Sequence, residues 1–259
     1  MSDRILTQRD GDIATVVLDA PEKLNALTKE RWVRLGVVMG ELSADDGLRC
    51  IVLRGAGDRA FAAGADITEF ATVRRDAAVS KVYGEIVAAT MESVARCRHP
   101  TVALIQGVCI GGGLEIASCC DIRICGTSSR FGIPTMRLGL VMAHAELDML
   151  IDLVGRAAAL EILLEGRIFG AEEAKDMGLV SRVVPDDEVE EEAYATARRI
   201  AAGAPLVARW HKKFAHRLRD SAPLTAAEID EAYACYDTED YRIGTRAFTD
   251  KKTPEFKGR

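Results

Sequence analysis

Along the first half of the chain, short apolar runs alternate with longer stretches in which apolar residues recur at helical spacing. Ile13-Ala14-Thr15-Val16-Val17-Leu18 reads as a strand. Thr28 caps a predicted helix through about Leu42, with Trp32, Leu35, Val38 and Met39 on its inward face. Ile51-Val52-Leu53 predicts a buried strand. Val79, Val82, Ile86, Val87, Met91 and Val94 predict a helix between Ala77 and Ala95. Val102 to Ile105 and Ile122-Arg123-Ile124-Cys125 add two strands, so an α/β class with parallel strands joined by helices is expected. From about residue 186 strands disappear. Glu188 to Ala202 reads as a helix broken by Gly203-Ala204-Pro205, and Leu206 to Leu218 and Ala226 to Tyr236 as two more. The expected division is a core over residues 1–200 and a helical region over 201–259.

At 259 residues the chain is long enough to bury a full core. Its 34 basic and 40 acidic residues are interspersed without a basic block, and the net charge of −6 argues against nucleic acid as a partner. No apolar run reaches the ~18 residues that would span a bilayer. Met1-Ser2-Asp3-Arg4 leads straight into strand-like alternation, without a signal-peptide core. The seven cysteines (Cys50, Cys97, Cys109, Cys119, Cys120, Cys125 and Cys235) fall mostly in apolar runs, with no C-x-x-C pair and only scattered histidines. The pattern speaks against a metal site and for reduced thiols in a cytoplasm.

Chemistry concentrates in two glycine-containing segments. Gly107-Val108-Cys109-Ile110-Gly111-Gly112-Gly113-Leu114-Glu115 follows the apolar run 101–105 and precedes the helix-compatible Ile116-Ala117-Ser118-Cys119-Cys120. A strand, then glycines, then a helix start leaves backbone N–H groups without partners, suited to a negative charge or a developing oxyanion. Glu115 falls in the first turn, where a carboxylate is favoured and can reach over the glycines. A tight turn with a dipole-complementing Glu has the same pattern. Phe61-Ala62-Ala63-Gly64-Ala65-Asp66-Ile67 follows a second strand-like run and offers the Ala65 N–H as another donor, although an Ala/Gly-rich helix start capped by Asp66 also fits. Two donors from separate loops are what a thioester carbonyl needs as it becomes an enolate. A dinucleotide-binding G-x-G-x-x-G turn has different spacing and comes earlier in its domain, and a P-loop signature is absent.

These two segments, with Leu24-Asn25-Ala26-Leu27, Asp121-Ile122-Arg123-Ile124, Phe131-Gly132-Ile133-Pro134 and the terminal Thr253-Pro254-Glu255-Phe256-Lys257-Gly258-Arg259, resemble the crotonase superfamily of enoyl-CoA hydratases and isomerases. The likeness runs nearly end to end. It implies a crotonase (ClpP-like) spiral of ββα units with a helical C-terminal trimerisation region, and a homotrimer or hexamer. It also implies a coenzyme A thioester as substrate, with no metal or redox cofactor. By the same resemblance, the Ala65 and Gly112 N–H groups form the oxyanion hole and Glu115 is an acid/base. Leu24, Ala63, Asp66 and Ile67 line the adenine and pantetheine channel, and Phe248 and Lys251 reach a neighbouring subunit's CoA.

One position departs from the family. Its second glutamate follows a Phe-Gly-x-Pro segment, and here Thr135 stands there. Hydration of a 2-enoyl thioester needs a water deprotonated and a proton delivered to Cα, and two carboxylates share that labour. A threonine hydroxyl orients water but is no acid or base near neutral pH. Three readings follow. Hydration survives with His144 or Glu146 supplying the missing group; Glu115 alone moves a proton between carbons, as in a 3-enoyl to 2-enoyl isomerase; or the chain is a silent acyl-CoA binder. Decarboxylation and thioester hydrolysis use the same oxyanion hole. The acyl pocket is expected to be floored by residues 73–82 and 136–147.

Overall fold

The computed structural model describes residues 4–259, so the Met1-Ser2-Asp3 part of the leader reading lies outside the described residues. The chain opens with an antiparallel pair, β1 (Arg4–Asp10) and β2 (Ile13–Asp19), followed by α1 (Lys29–Ala44). Three strand pairs succeed it, each ending in helix. They are β3 (Cys50–Gly55) and β4 (Ala60–Ala62) with α2 (Phe70–Val73) and α3 (Ala77–Ala95); β5 (Thr101–Ile105) and β6 (Val108–Ile110) with α4 (Gly112–Ser118); and β7 (Ile122–Gly126) and β8 (Arg130–Gly132) with α5 (His144–Glu165). Then come β9 (Phe169–Gly170), α6 (Ala171–Asp176), β10 (Arg182–Val184) and α7 (Val189–Ala201). Only helices follow: α8 (Pro205–Arg217), α9 (Ala226–Glu231) and α10 (Glu239–Asp250).

The first strand of each pair joins one sheet, ordered β1-β2-β3-β5-β7-β10, and the second joins another, ordered β4-β6-β8-β9. Each turn of chain therefore lays one strand in each sheet and closes with a helix. That is the ββα spiral, which periodicity alone does not distinguish from a doubly wound sheet. All pairings are parallel except β1 with β2 and β8 with β9.

Strand β3 carries a continuous apolar run because both its faces are covered. Ile51 and Leu53, with Ala103 and Ile105 of β5, face the main core. Cys50 and Val52, with Val102 and Leu104, pack on Val189, Ala193, Ala197 and Ala201 of α7. The period of two thus sorts alternate residues to opposite layers. Helix α1 begins as the pattern predicts: the Thr28 hydroxyl accepts from Arg31 N–H at 3.2 Å, and Trp32, Leu35, Val38 and Met39 are buried. Two expectations shift. Val82 is exposed while Tyr83 beside it is buried, and the helix expected over 226–236 stops at Glu231 before a 3-10 turn at Ala234–Asp237. Among the described residues, no helix is long and apolar enough to cross a membrane.

Candidate active site

The two glycine-containing segments leave parallel neighbours in the smaller sheet: β4 feeds residues 63–66 and β6 feeds residues 111–115. Ala63 N–H donates to Leu24 C=O at 2.9 Å, Leu27 N–H to Gly64 C=O at 2.8 Å, and Asp66 N–H to Leu27 C=O at 2.8 Å. These bonds zip the 24–27 loop along one edge of residues 63–66 and make a parallel bridge between Leu27 and Ala65. In such a bridge the flanking residues supply the bonds, so Ala65's own N–H points to the opposite side. The glycine-rich helix start lies on that side.

Gly111 precedes α4 at φ 50° and Gly64 sits at φ 104°, both in the range that favours glycine. The first turn of α4 closes with Glu115 N–H donating to Gly111 C=O at 2.9 Å, which leaves the Gly112 N–H unused by the helix. A Cβ built on Gly112 would lie 3.5 Å from the Ala65 nitrogen and 2.8 Å from a Trp32 ring carbon. With standard backbone dimensions, the two nitrogens are then within about 6 Å of each other. One oxygen can therefore sit about 3 Å from both. The Trp32 ring floors the spot and bars any side chain at position 112. Ala65 is partly exposed, so a ligand can reach it.

Glu115 projects from the first turn of α4, and Glu146 from the first turn of α5, which packs against it. Glu146 is buried, and one of its carboxylate oxygens accepts from the Ala143 N–H at 2.8 Å. Burial, together with the negative charge of Glu146, pushes the Glu115 carboxyl up to about 8, while the Arg74 cation opposes the rise. Burial also raises Glu146, against the Ala143 hydrogen bond and Arg74. Two buried carboxyls whose affinities for protons are both raised, one by the other's charge, favour the state in which one of them keeps its proton. Tyr83 joins the cluster. Its phenol is held up by burial and by the Glu115 charge, and drawn down by Arg74 and Trp32.

Thr135 opens a 3-10 turn, Thr135–Leu138, and is only partly buried. His144 is exposed on the first turn of α5, while Glu146, two residues on, points inward. The Asp66 carboxylate accepts from Thr68 N–H and hydroxyl and pairs with Lys23 at 2.6 Å, partners that hold it down at about 2 against the opposing cost of burial. Its side chain is thus committed to shaping the loop. Leu24 adopts φ 51°, its carbonyl bonded to Ala63, and Ile67 is 64% exposed. Phe248 is 88% exposed, which excludes a core contact, and Lys251 caps α10 at φ 55°.

Arg74 and Tyr83 carry no motif. The only sequence signal for Arg74 is its position within the expected pocket floor at 73–82, and Tyr83 lies one residue beyond that stretch, in the expected helix 77–95. Among the described residues no group of three His, Cys, Asp or Glu side chains is placed to hold a metal ion.

Known proteins share this chain's sequence pattern and fold. The family model described as enoyl-CoA hydratase/isomerase matches residues 8–259. A probable enoyl-CoA hydratase of Mycobacterium bovis is 34% identical over 255 residues, 97% of each chain. A short-chain-enoyl-CoA hydratase of Clostridium acetobutylicum is 31% identical over 98% of each. Among solved structures, an enoyl-CoA hydratase/carnithine racemase from Magnetospirillum magneticum superposes with a TM-score of 0.98 at 47% identity, covering 100% of this chain and 97% of that one. The chain belongs to the enoyl-CoA hydratase/isomerase family of the crotonase superfamily.

Proposed function

We propose that this protein adds water to 2-enoyl-CoA thioesters, with Glu115 and Glu146 as its acid/base pair and the Ala65 and Gly112 N–H groups as its oxyanion hole. The observation that carries the reading is the second buried carboxyl, Glu146, whose charge acts on Glu115. It restores to the site the function that Thr135 cannot supply. The thioester carbonyl oxygen accepts from the two amides, which stabilise the negative charge as an enolate forms. The ionised member of the pair takes a proton from water as its oxygen bonds to Cβ. The protonated member delivers a proton to Cα. After turnover the pair again holds one proton, on the other carboxyl.

The same reading makes the coenzyme A thioester the substrate and needs no metal or redox cofactor. It places the protein in the cytoplasm, as a homotrimer or homohexamer. Exposed apolar side chains of the C-terminal helical region support an assembly: Ile229, the mutually packed Tyr233, Tyr236 and Tyr241, and Phe248 are each 43% or more exposed. Phe248 and Lys251 would then meet a neighbouring subunit's CoA.

Incubation with crotonyl-CoA and with 3-hexenoyl-CoA, followed by product analysis, tests the reaction. The expected product is 3-hydroxybutyryl-CoA from the first. Migration of the double bond in the second, without hydration of the first, would favour the isomerase. Glu115→Gln is expected to lower turnover by at least ~10³-fold while acyl-CoA still binds. An unchanged rate would refute the role given to Glu115.

A further inference from the structure

Arg74 is a cation that the hydration chemistry does not use. It follows α2, in the irregular stretch before α3. Its guanidinium carbon lies 5.0 Å from the Phe70 ring centroid and 4.6 Å from the Tyr83 centroid, within range of cation–π attraction to both. Its Nε is enclosed and has no hydrogen-bond partner, and among the described residues no carboxylate forms an ion pair with it. Its field nevertheless reaches both Glu115 and Glu146.

A partly enclosed guanidinium held between two rings and left without a counter-ion costs free energy that a ligand anion would recover. The planar fork is pre-organised for a carboxylate, which it can bind through two parallel hydrogen bonds. Position agrees. Glu115 acts at the first carbons of the acyl chain, its charge interacts with Arg74 and with Tyr83, and the Arg74 guanidinium lies over the Tyr83 ring, so by position the next atoms of the chain lead toward the guanidinium.

We infer that Arg74 selects the acyl group by charge. The preferred thioester carries a carboxylate at the far end of a short acyl chain, a neutral chain is second, and a chain bearing a fixed ammonium is refused. Arg74 is thus a specificity residue, and the assignment rests on Glu115 marking the reacting end of the acyl site.

Two measurements test it. The first is calorimetric binding of the unreactive succinyl-CoA and butyryl-CoA to the full-length protein. Succinyl-CoA is expected to bind at least ~10-fold more tightly. The second is kcat/KM for three enoyl thioesters: 4-carboxy-2-butenoyl-CoA, crotonyl-CoA and 4-trimethylammonio-2-butenoyl-CoA. The expected order is as written, with about tenfold between neighbours. In Arg74→Gln the ratio of the first to the second is expected to fall by ~30-fold, and Arg74→Lys to recover part of it.

Butyryl-CoA binding as tightly as succinyl-CoA would overturn the inference, whether or not any variant folds. So would a ratio unchanged in Arg74→Gln while both rates fall together, because Arg74 would then act only through the glutamates. If no enoyl thioester is turned over yet succinyl-CoA is preferred, the hydratase reading fails and the charge selection stands.

Discussion

Glu115 is the residue on which chemistry and stability pull against each other. Its folded-state proton affinity is raised, so the free energy it contributes is fully present below the ordinary carboxyl range and is lost as pH rises toward about 8. Replacing the carboxyl with an amide removes that loss. Glu115→Gln is therefore expected to be more stable than the parent by ~1–4 kcal/mol at pH 8 and equal to it near pH 4, read by chemical denaturation. A variant less stable at pH 8 would show that the carboxylate is not strained by burial. Sequence made Glu115 legible, because a carboxylate two residues past three glycines follows a family pattern. His144 and Glu146 could not be told apart in the same way. Which of two neighbouring residues points inward depends on how α5 docks on α4, and that is a tertiary fact. Arg74 was hidden for the same reason: a cation in an irregular stretch reads as solvated until Phe70 and Tyr83 are seen around it.

The elements that hold the site are loops zipped to strand ends. Asn25 shows how much one side chain carries there. Buried at φ 57°, a conformation asparagine tolerates, it accepts from Ala20 N–H at 3.0 Å and donates to Ala56 C=O at 3.1 Å and Ala60 C=O at 2.7 Å. Those contacts tie the 24–27 loop to the turn between β3 and β4, and the loop in turn aligns Ala65. Asn25→Ala is expected to cost ~2–4 kcal/mol and to lower kcat more than it raises KM, measured by denaturation and steady-state kinetics. Full activity in that variant would mean that the donor is aligned by other contacts. At this scale the helix α1 cap and the strands β2, β3, β5 and β7 were readable from apolar spacing alone. The short strands β4, β6 and β8 were not, since three residues of extended chain carry too little pattern to separate from loop. Their role appears only when the second sheet is assembled.

For the whole molecule, the spiral is what brings distant segments together. Each turn of chain adds one strand to each sheet, so segments separated by about fifty residues end beside one another at the same edge of the smaller sheet. Parallel pairing of β4 with β6 points both following loops the same way, and the glycines let them close to contact. Composition and charge could exclude other partners but could not locate this meeting point. The glycine motifs pointed to it because, as a pair at that spacing, they resemble the family's two segments, although each alone also fits a plain turn or helix start. The most direct test of the account is a crystal structure with an unreactive acyl-CoA, such as butyryl-CoA, bound. The thioester oxygen is expected about 3 Å from both the Ala65 and the Gly112 nitrogens, with Glu115 and Glu146 on either side of the acyl carbons. A carbonyl oxygen held by only one of those amides, or by neither, would contradict it.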